Sequence, residues 1–186
     1  MSLSVGGCPL ANIVSDIAIL GDRSRSMNKE FRKVVIKLIT DLVDKTGVSS
    51  SGNHFAIGTF GPSATIHNKF KSQVYYNGEK LKDHIQRRLS YIPARWGTRI
   101  DLALDRAVKD LFSPFGGDRH EARNVMFIFI NRKAFIAKND KQPFISITQS
   151  LQALKVMING MRRKKLSQVT FIHFGQKIRM LKGTLI

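Results

Sequence analysis

The chain has 186 residues, 42% hydrophobic and 24% charged, the balance of a globular protein that buries about 70% of its unfolded surface. No apolar stretch approaches the ~20 residues of a membrane-spanning helix, and a single cysteine, Cys8, excludes an internal disulfide framework. Thirty-one Lys and Arg against 13 Asp and Glu give a formal charge of +18, which predicts attraction to nucleic acid, sulfated glycan, acidic protein or anionic lipid.

The N-terminal Met1-Ser2-Leu3-Ser4 lacks a basic region followed by an apolar one, so no signal peptide is expected; the mature form of a secreted protein would look the same. Ile13 to Leu20 reads as a buried strand, apolar apart from Ser15 and Asp16. Asn28 to Lys45 reads as an amphipathic helix. Its apolar stripe is Phe31, Val34, Val35, Leu38, Leu42 and Val43, with Lys29, Arg32, Lys33 and Lys37 on the other face. Gly47 and the Ser49-Ser50-Ser51-Gly52 loop end it. His54 to Phe60 is a strand, and Ala64 to Phe70 is its antiparallel partner across the turn Gly61-Pro62-Ser63. Glu79 to Leu89 and Arg99 to Phe112 carry helical spacing, and Val125 to Ile130 reads as a central strand buried on both faces. A helix over Ile147 to Asn159, stopped by Gly160, and a strand over Gln168 to Phe174 complete the order. Alternating strands and helices predict an α/β fold with a doubly wound, mostly parallel sheet, one antiparallel edge strand and helices on both faces. No repeat or linker interrupts it. One domain is expected over 1–186, with a core of about 13–175 and flanking segments 1–12 and 176–186.

Ligands of such sheets bind outside the carboxyl ends of the strands. On the loop leaving the first strand stand Asp22, Ser24 and Ser26. One carboxylate and two hydroxyls at alternate positions suit a hard divalent cation. Read alone, the two serines could equally cap the following helix. The pattern D-x-S-x-S after a strand resembles the first loop of the von Willebrand factor type A (vWA) domain, where it opens the metal-ion-dependent adhesion site (MIDAS). A second loop, Trp96-Gly97-Thr98-Arg99-Ile100-Asp101-Leu102-Ala103-Leu104, is similar to that family's G-x-T-x-T-G-x-A-L segment and puts Thr98 at the metal-ligating threonine. Ile100 and Asp101 replace the family's second threonine and its glycine. After the strand Val125 to Ile130, the family usually reads T-D-G where this chain reads Ile130-Asn131-Arg132. Asn131 keeps a carbonyl oxygen but loses the charge, which weakens cation binding.

The resemblance covers Ile13 to Gly175. It implies a non-enzymatic, extracellular adhesion module in which Asp22, Ser24, Ser26, Thr98 and Asn131 hold Mg²⁺, or Mn²⁺ or Ca²⁺. The partner would be an extracellular matrix protein, with collagen or a collagen-like component as a partner class. Secreted relatives often pair a cysteine at the place of Cys8 with one beyond the last helix. This sequence has none there, and whether Cys8 is free or pairs with another chain stays open. No G-x-S-x-G elbow, P-loop or dinucleotide fingerprint supports an enzyme, and the five histidines lack metal-ligand spacing.

The second functional reading starts from the cations. Arg23, Arg25, Arg95, Arg99, Arg132 and Lys133 sit on the three loops expected to converge, and Trp96 beside them is a candidate ligand anchor. Arg162, Arg163, Lys164 and Lys165 form a further basic cluster, and Lys141 to Ile186 holds nine Lys and Arg with no acid. Such a surface would bind a sulfated glycan, an anionic matrix or mineral component, or nucleic acid, largely without metal. The absence of aromatics from 162–165 disfavours single-stranded nucleic acid. EDTA and salt separate the two readings, since polyanion binding falls with salt and ignores the chelator.

Overall fold

The computed structural model describes residues 14–25, 27–91, 97–130, 166–174 and 178–183. The expected helix Ile147 to Asn159 and Cys8 lie outside these residues. The strands are β1 (Ser15–Asp22), β2 (His54–Phe60), β3 (Ala64–Ile66), β4 (Arg123–Ile130), β5 (Leu166–Phe174) and β6 (Ile178–Gly183). The helices are α1 (Lys29–Thr46), α2 (Gly78–Ser90) and α3 (Ile100–Arg106), the last continuing as a wider π-type turn over Ala107–Leu111.

The six strands form one sheet in the order β3-β2-β1-β4-β5-β6. The four inner strands are parallel; β3 on β2 and β6 on β5 run antiparallel. The mostly parallel sheet and its antiparallel edge at β3 are as expected from the sequence. A second antiparallel edge, β6, is additional. Strand order reverses between β1 and β4, so the crevice at their carboxyl ends is the topological switch point where ligands bind such sheets.

Alternation along the strands divides the core into two layers. Ala18, Leu20, Ala56, Met126 and Ile128 face α3, packing on Ala103, Leu104, Leu111 and Phe112. Ile17, Ile19, Phe55, Ile57 and Phe129 face α1 and α2, packing on Val35, Ile39, Leu81 and Ile85. Helices therefore cover both faces.

The face of α1 differs from expectation. Its buried residues are Arg32, Val35, Ile36, Ile39 and Val43, whereas Val34 and Leu38 are exposed at 41% and 43%. The reason is that α1 packs against α2 as well as the sheet, so its buried stripe is turned toward Ile36 and takes in Arg32. Asn28 caps α1 by accepting the Phe31 N–H at 2.9 Å. That role is thereby closed to Ser24, and the capping reading of this serine falls.

β3 stops at Ile66 rather than Phe70 because a side chain takes over the ladder. Asn68, buried, accepts the Ile57 N–H through Oδ1 at 3.0 Å and donates through Nδ2 to the Phe55 carbonyl at 2.7 Å. Replacing Asn68 by alanine leaves a strand donor and acceptor unmet in a dry place. The expected loss is about 2–3 kcal/mol, read as a shift in the urea unfolding midpoint. A loss below about 1 kcal/mol would mean that water substitutes for the amide.

Candidate metal centre

Two loops are fastened to consecutive carbonyls at the end of β2. The Arg23 N–H donates to the Phe60 carbonyl and the Arg99 N–H to the Gly61 carbonyl, both at 2.7 Å. The first bond holds the loop leaving β1 and the second the loop entering α3. Asp22 and Thr98, each one residue before a fastened N–H, are thus carried to the same end of the sheet. Gly97 is required by this packing. Its φ is +140°, a region L side chains rarely adopt, and a Cβ there would lie 2.9 Å from the Cα of Pro62.

Asp22 is 3% exposed, Ser24 2% and Thr98 0%. Asp22 Oδ1 accepts the Ser24 N–H at 2.7 Å, which folds the loop back over the end of β1. The Thr98 hydroxyl has no hydrogen-bond partner among the described residues. A buried hydroxyl left unmet costs about 1–3 kcal/mol, and a cation is a group that would satisfy it. Among the described residues no cluster of three or more His, Cys, Asp or Glu occurs. The donor set here is one carboxylate with neutral hydroxyls, which fits a hard divalent ion held by oxygen.

The sequence grouped these three residues as ligands, and the structure places all three buried on these two fastened loops. The cations around them divide. Arg25, between Ser24 and Ser26, is exposed. Arg23 is half-buried, with its guanidinium 5.6 Å from the centre of the Tyr91 ring, a cation–π distance. Burial lowers its pKa. Arg99 corrects the sequence reading of an exposed rim cation. It is fully buried and grips Asp101, Nε to Oδ1 at 2.9 Å and one terminal nitrogen to Oδ2 at 2.7 Å. The residue replacing the expected glycine is therefore the counterion of an internal arginine. Arg-x-Asp at a helix entrance was the available signal. Ser26, Arg95, Trp96, Asn131, Arg132, Lys133, Arg162, Arg163, Lys164 and Lys165 lie outside the described residues.

The described histidines with resolved contacts are structural. His54 bonds the Ser50 carbonyl at 3.1 Å and stacks on Tyr76. His67 bonds the Thr59 hydroxyl at 2.8 Å, and His84 the Tyr75 hydroxyl at 3.0 Å.

Comparison with known proteins agrees with this geometry. No curated protein sequence matches the chain. Among solved structures it is similar to proximal thread matrix protein 1 from the mussel byssus, in two crystal studies of that protein and a third in which its MIDAS motif is occupied by zinc. The first match has 21% identity and a TM-score of 0.66, covering 89% of this chain and 38% of that one. The second has 20% identity, a TM-score of 0.62 and coverage of 88% and 36%. The zinc-bound form has 22% identity, a TM-score of 0.65 and coverage of 88% and 38%. This chain thus spans under two fifths of the length of those chains, and at this identity the likeness establishes the fold. The sequence model of the von Willebrand factor type A domain matches residues 16–175. With that match over most of its length, the sheet order and the two fastened loops, the chain belongs to the von Willebrand factor type A domain family.

Proposed function

We propose that the chain is a binding module of extracellular matrix, which holds a divalent cation at the end of β1 and uses it to engage an acidic group on a partner protein. Asp22, Ser24 and Thr98 would hold the ion, with Ser26 completing the first loop and Asn131 contributing a neutral carbonyl oxygen. Mg²⁺ is the first choice of ion for such oxygens, with Mn²⁺ and Ca²⁺ as alternatives. A collagen-like matrix protein is the partner class favoured by the family resemblance. The cation supplies a Lewis-acid contact for the partner's carboxylate.

The observation that supports this reading most is the Thr98 hydroxyl, fully buried and without a hydrogen-bond partner among the described residues, on the loop fastened beside Asp22. Site charge sets the strength. Among the described site residues Asp22 is the one carboxylate, and Arg25 stands exposed on the same loop. Both lower the affinity for a bare cation and raise it for an anionic ligand.

Titration calorimetry with MgCl₂ and MnCl₂ tests the site. Binding at one ion per chain is expected. At about a hundredfold excess over Kd it adds about 2.7 kcal/mol, which raises Tm by roughly 5–10 °C. Asp22→Ala and Thr98→Ala should each remove both the heat and the shift while leaving the metal-free Tm within a few degrees. No heat and no shift in the unsubstituted protein would sink the metal reading.

A further inference from the structure

We propose that the groove between α1 and α2 is a second binding site, for a sulfated oligosaccharide. The groove has a volume of about 640 Å³, and Lys29, Arg32, Lys33 and Lys37 line one wall from α1. The sequence placed these four on the face of α1 opposite its apolar stripe, but the rotation of α1 toward α2 turns Arg32 inward. Arg32 is 7% exposed, and its guanidinium donates to the Met27 carbonyl. No carboxylate among the described residues pairs with it, so a buried cation faces the groove with a neutral acceptor in place of a counterion. Burial lowers its pKa, the mark of a charge short of compensation. An anionic group entering the groove relieves that deficit.

The remaining lining identifies the chemistry. Thr40, Gln86 and Ser90 offer hydroxyls and an amide, while Ile36 is the apolar member. A hydroxyl-rich, anionic chain matches both sets at once. No aromatic ring among the described residues lines the groove, which disfavours nucleic acid, whose bases need stacking platforms. Ile36 is the one apolar residue among the described residues of this lining, which leaves a peptide few pockets in which to anchor its side chains. From Lys29 to Asp41 the wall runs about 18 Å, room for several sugar units. Lys33 pairs with Glu30 at 3.1 Å and Lys37 with Asp41 at 3.0 Å. Such exposed pairs contribute little and exchange readily for sulfate. Asp41 discourages anions at the far end, which directs the sulfates toward Lys29, Arg32 and Lys33.

The groove contacts include none of the candidate metal ligands, so the test runs in EDTA. A heparin-derived hexasaccharide is titrated at about 0.15 M salt against the protein, Lys29→Gln/Lys33→Gln, Arg32→Gln and the control Lys45→Gln/Arg123→Gln. The control removes two exposed cations elsewhere. The groove variants are expected to weaken binding by about tenfold or more and the control by less than about twofold. Should Arg32→Gln fail to fold, the lysine pair alone decides. Equal weakening in the lysine pair and the control would overturn the site. Competition by polyglutamate or an oligonucleotide of matched charge as effective as the hexasaccharide would overturn the ligand class.

Discussion

Replacing Asp101 by alanine is expected to lower stability by about 3–5 kcal/mol, the largest effect of any single substitution considered for this fold. Arg99 and Asp101 are both 0% exposed, and two charge-assisted bonds of 2.9 and 2.7 Å join them side by side. Much of the cost is the guanidinium left inside without its carboxylate, where water cannot replace it. A paired arginine and aspartate need not stabilise relative to apolar residues, because desolvation offsets the attraction. The double replacement Arg99→Leu/Asp101→Leu should therefore cost less than Asp101→Ala alone, which is the reverse of additivity. Urea unfolding of the three proteins measures both statements. A loss under about 1 kcal/mol in Asp101→Ala would show that the pair is solvated in solution. The position also bears on the site. Arg99 N–H fastens the second loop to Gly61, one residue after Thr98, so Asp101→Ala should weaken Mg²⁺ binding at temperatures where the variant is still folded.

Periodicity was enough to place β1, α1, β2, α2, α3 and β4 within a few residues, because long buried strands and amphipathic helices impose their period on the sequence. It failed where a polar side chain does the work of backbone or core. Asn68 replaces a strand residue in the ladder, so an apolar-looking segment ends early. Arg123 and Asn124 begin β4 although neither looks like strand; Asn124 is buried beside a register shift against β5. The edge strand β6 is short, and Arg179 and Lys182 in its sequence break the apolar pattern by which strands are read. Asp22, Ser24 and Thr98 could be picked out as candidates because their spacing follows a strand end and a helix start, and all three are buried. Arg99 and Arg32 were misread for one reason. Each is a cation in a polar-looking position, and only tertiary packing decides whether such a side chain faces water. The face of α1 was misread for a related one, since Phe31, Val34, Val35, Ile36, Leu38 and Ile39 give it two apolar stripes and α2 selects between them.

Acidification from pH 7 to pH 4 is expected to destabilise the fold strongly through two histidines. His67 and His84, the latter on the buried face of α2, lie edge to face with 6.3 Å between ring centres. Burial is the main cause that lowers the pKa of each to about 4. Arg88 lowers both further, Arg23 and His84 add to the effect on His67, and Arg87 adds to that on His84. In the unfolded chain each titrates near 6.5. Between 6.5 and 4 the unfolded chain binds protons that the native state refuses, so stability rises with pH across this window and is lost as pH falls through it. A shift of this size is worth up to about 3 kcal/mol for each ring. His54, also lowered mainly by burial, acts in the same direction. Asp16 opposes them at the acid end. Burial, as its largest influence, raises its carboxyl pKa despite the hydrogen bonds from Arg119, so protonating it favours the native state. The sum is a stability curve that falls between pH 6.5 and 4 and flattens below. Proton NMR of the ring C–H signals measures the individual values, and two rings with midpoints near 4 are expected. If both titrate near 6.5, α2 does not exclude water from them and the acid loss must have another source. Urea midpoints recorded across the same range then separate the causes. Replacing His84 by glutamine should reduce the slope between pH 6.5 and 4 even though it lowers stability at pH 7, because a residue that does not titrate contributes no proton linkage.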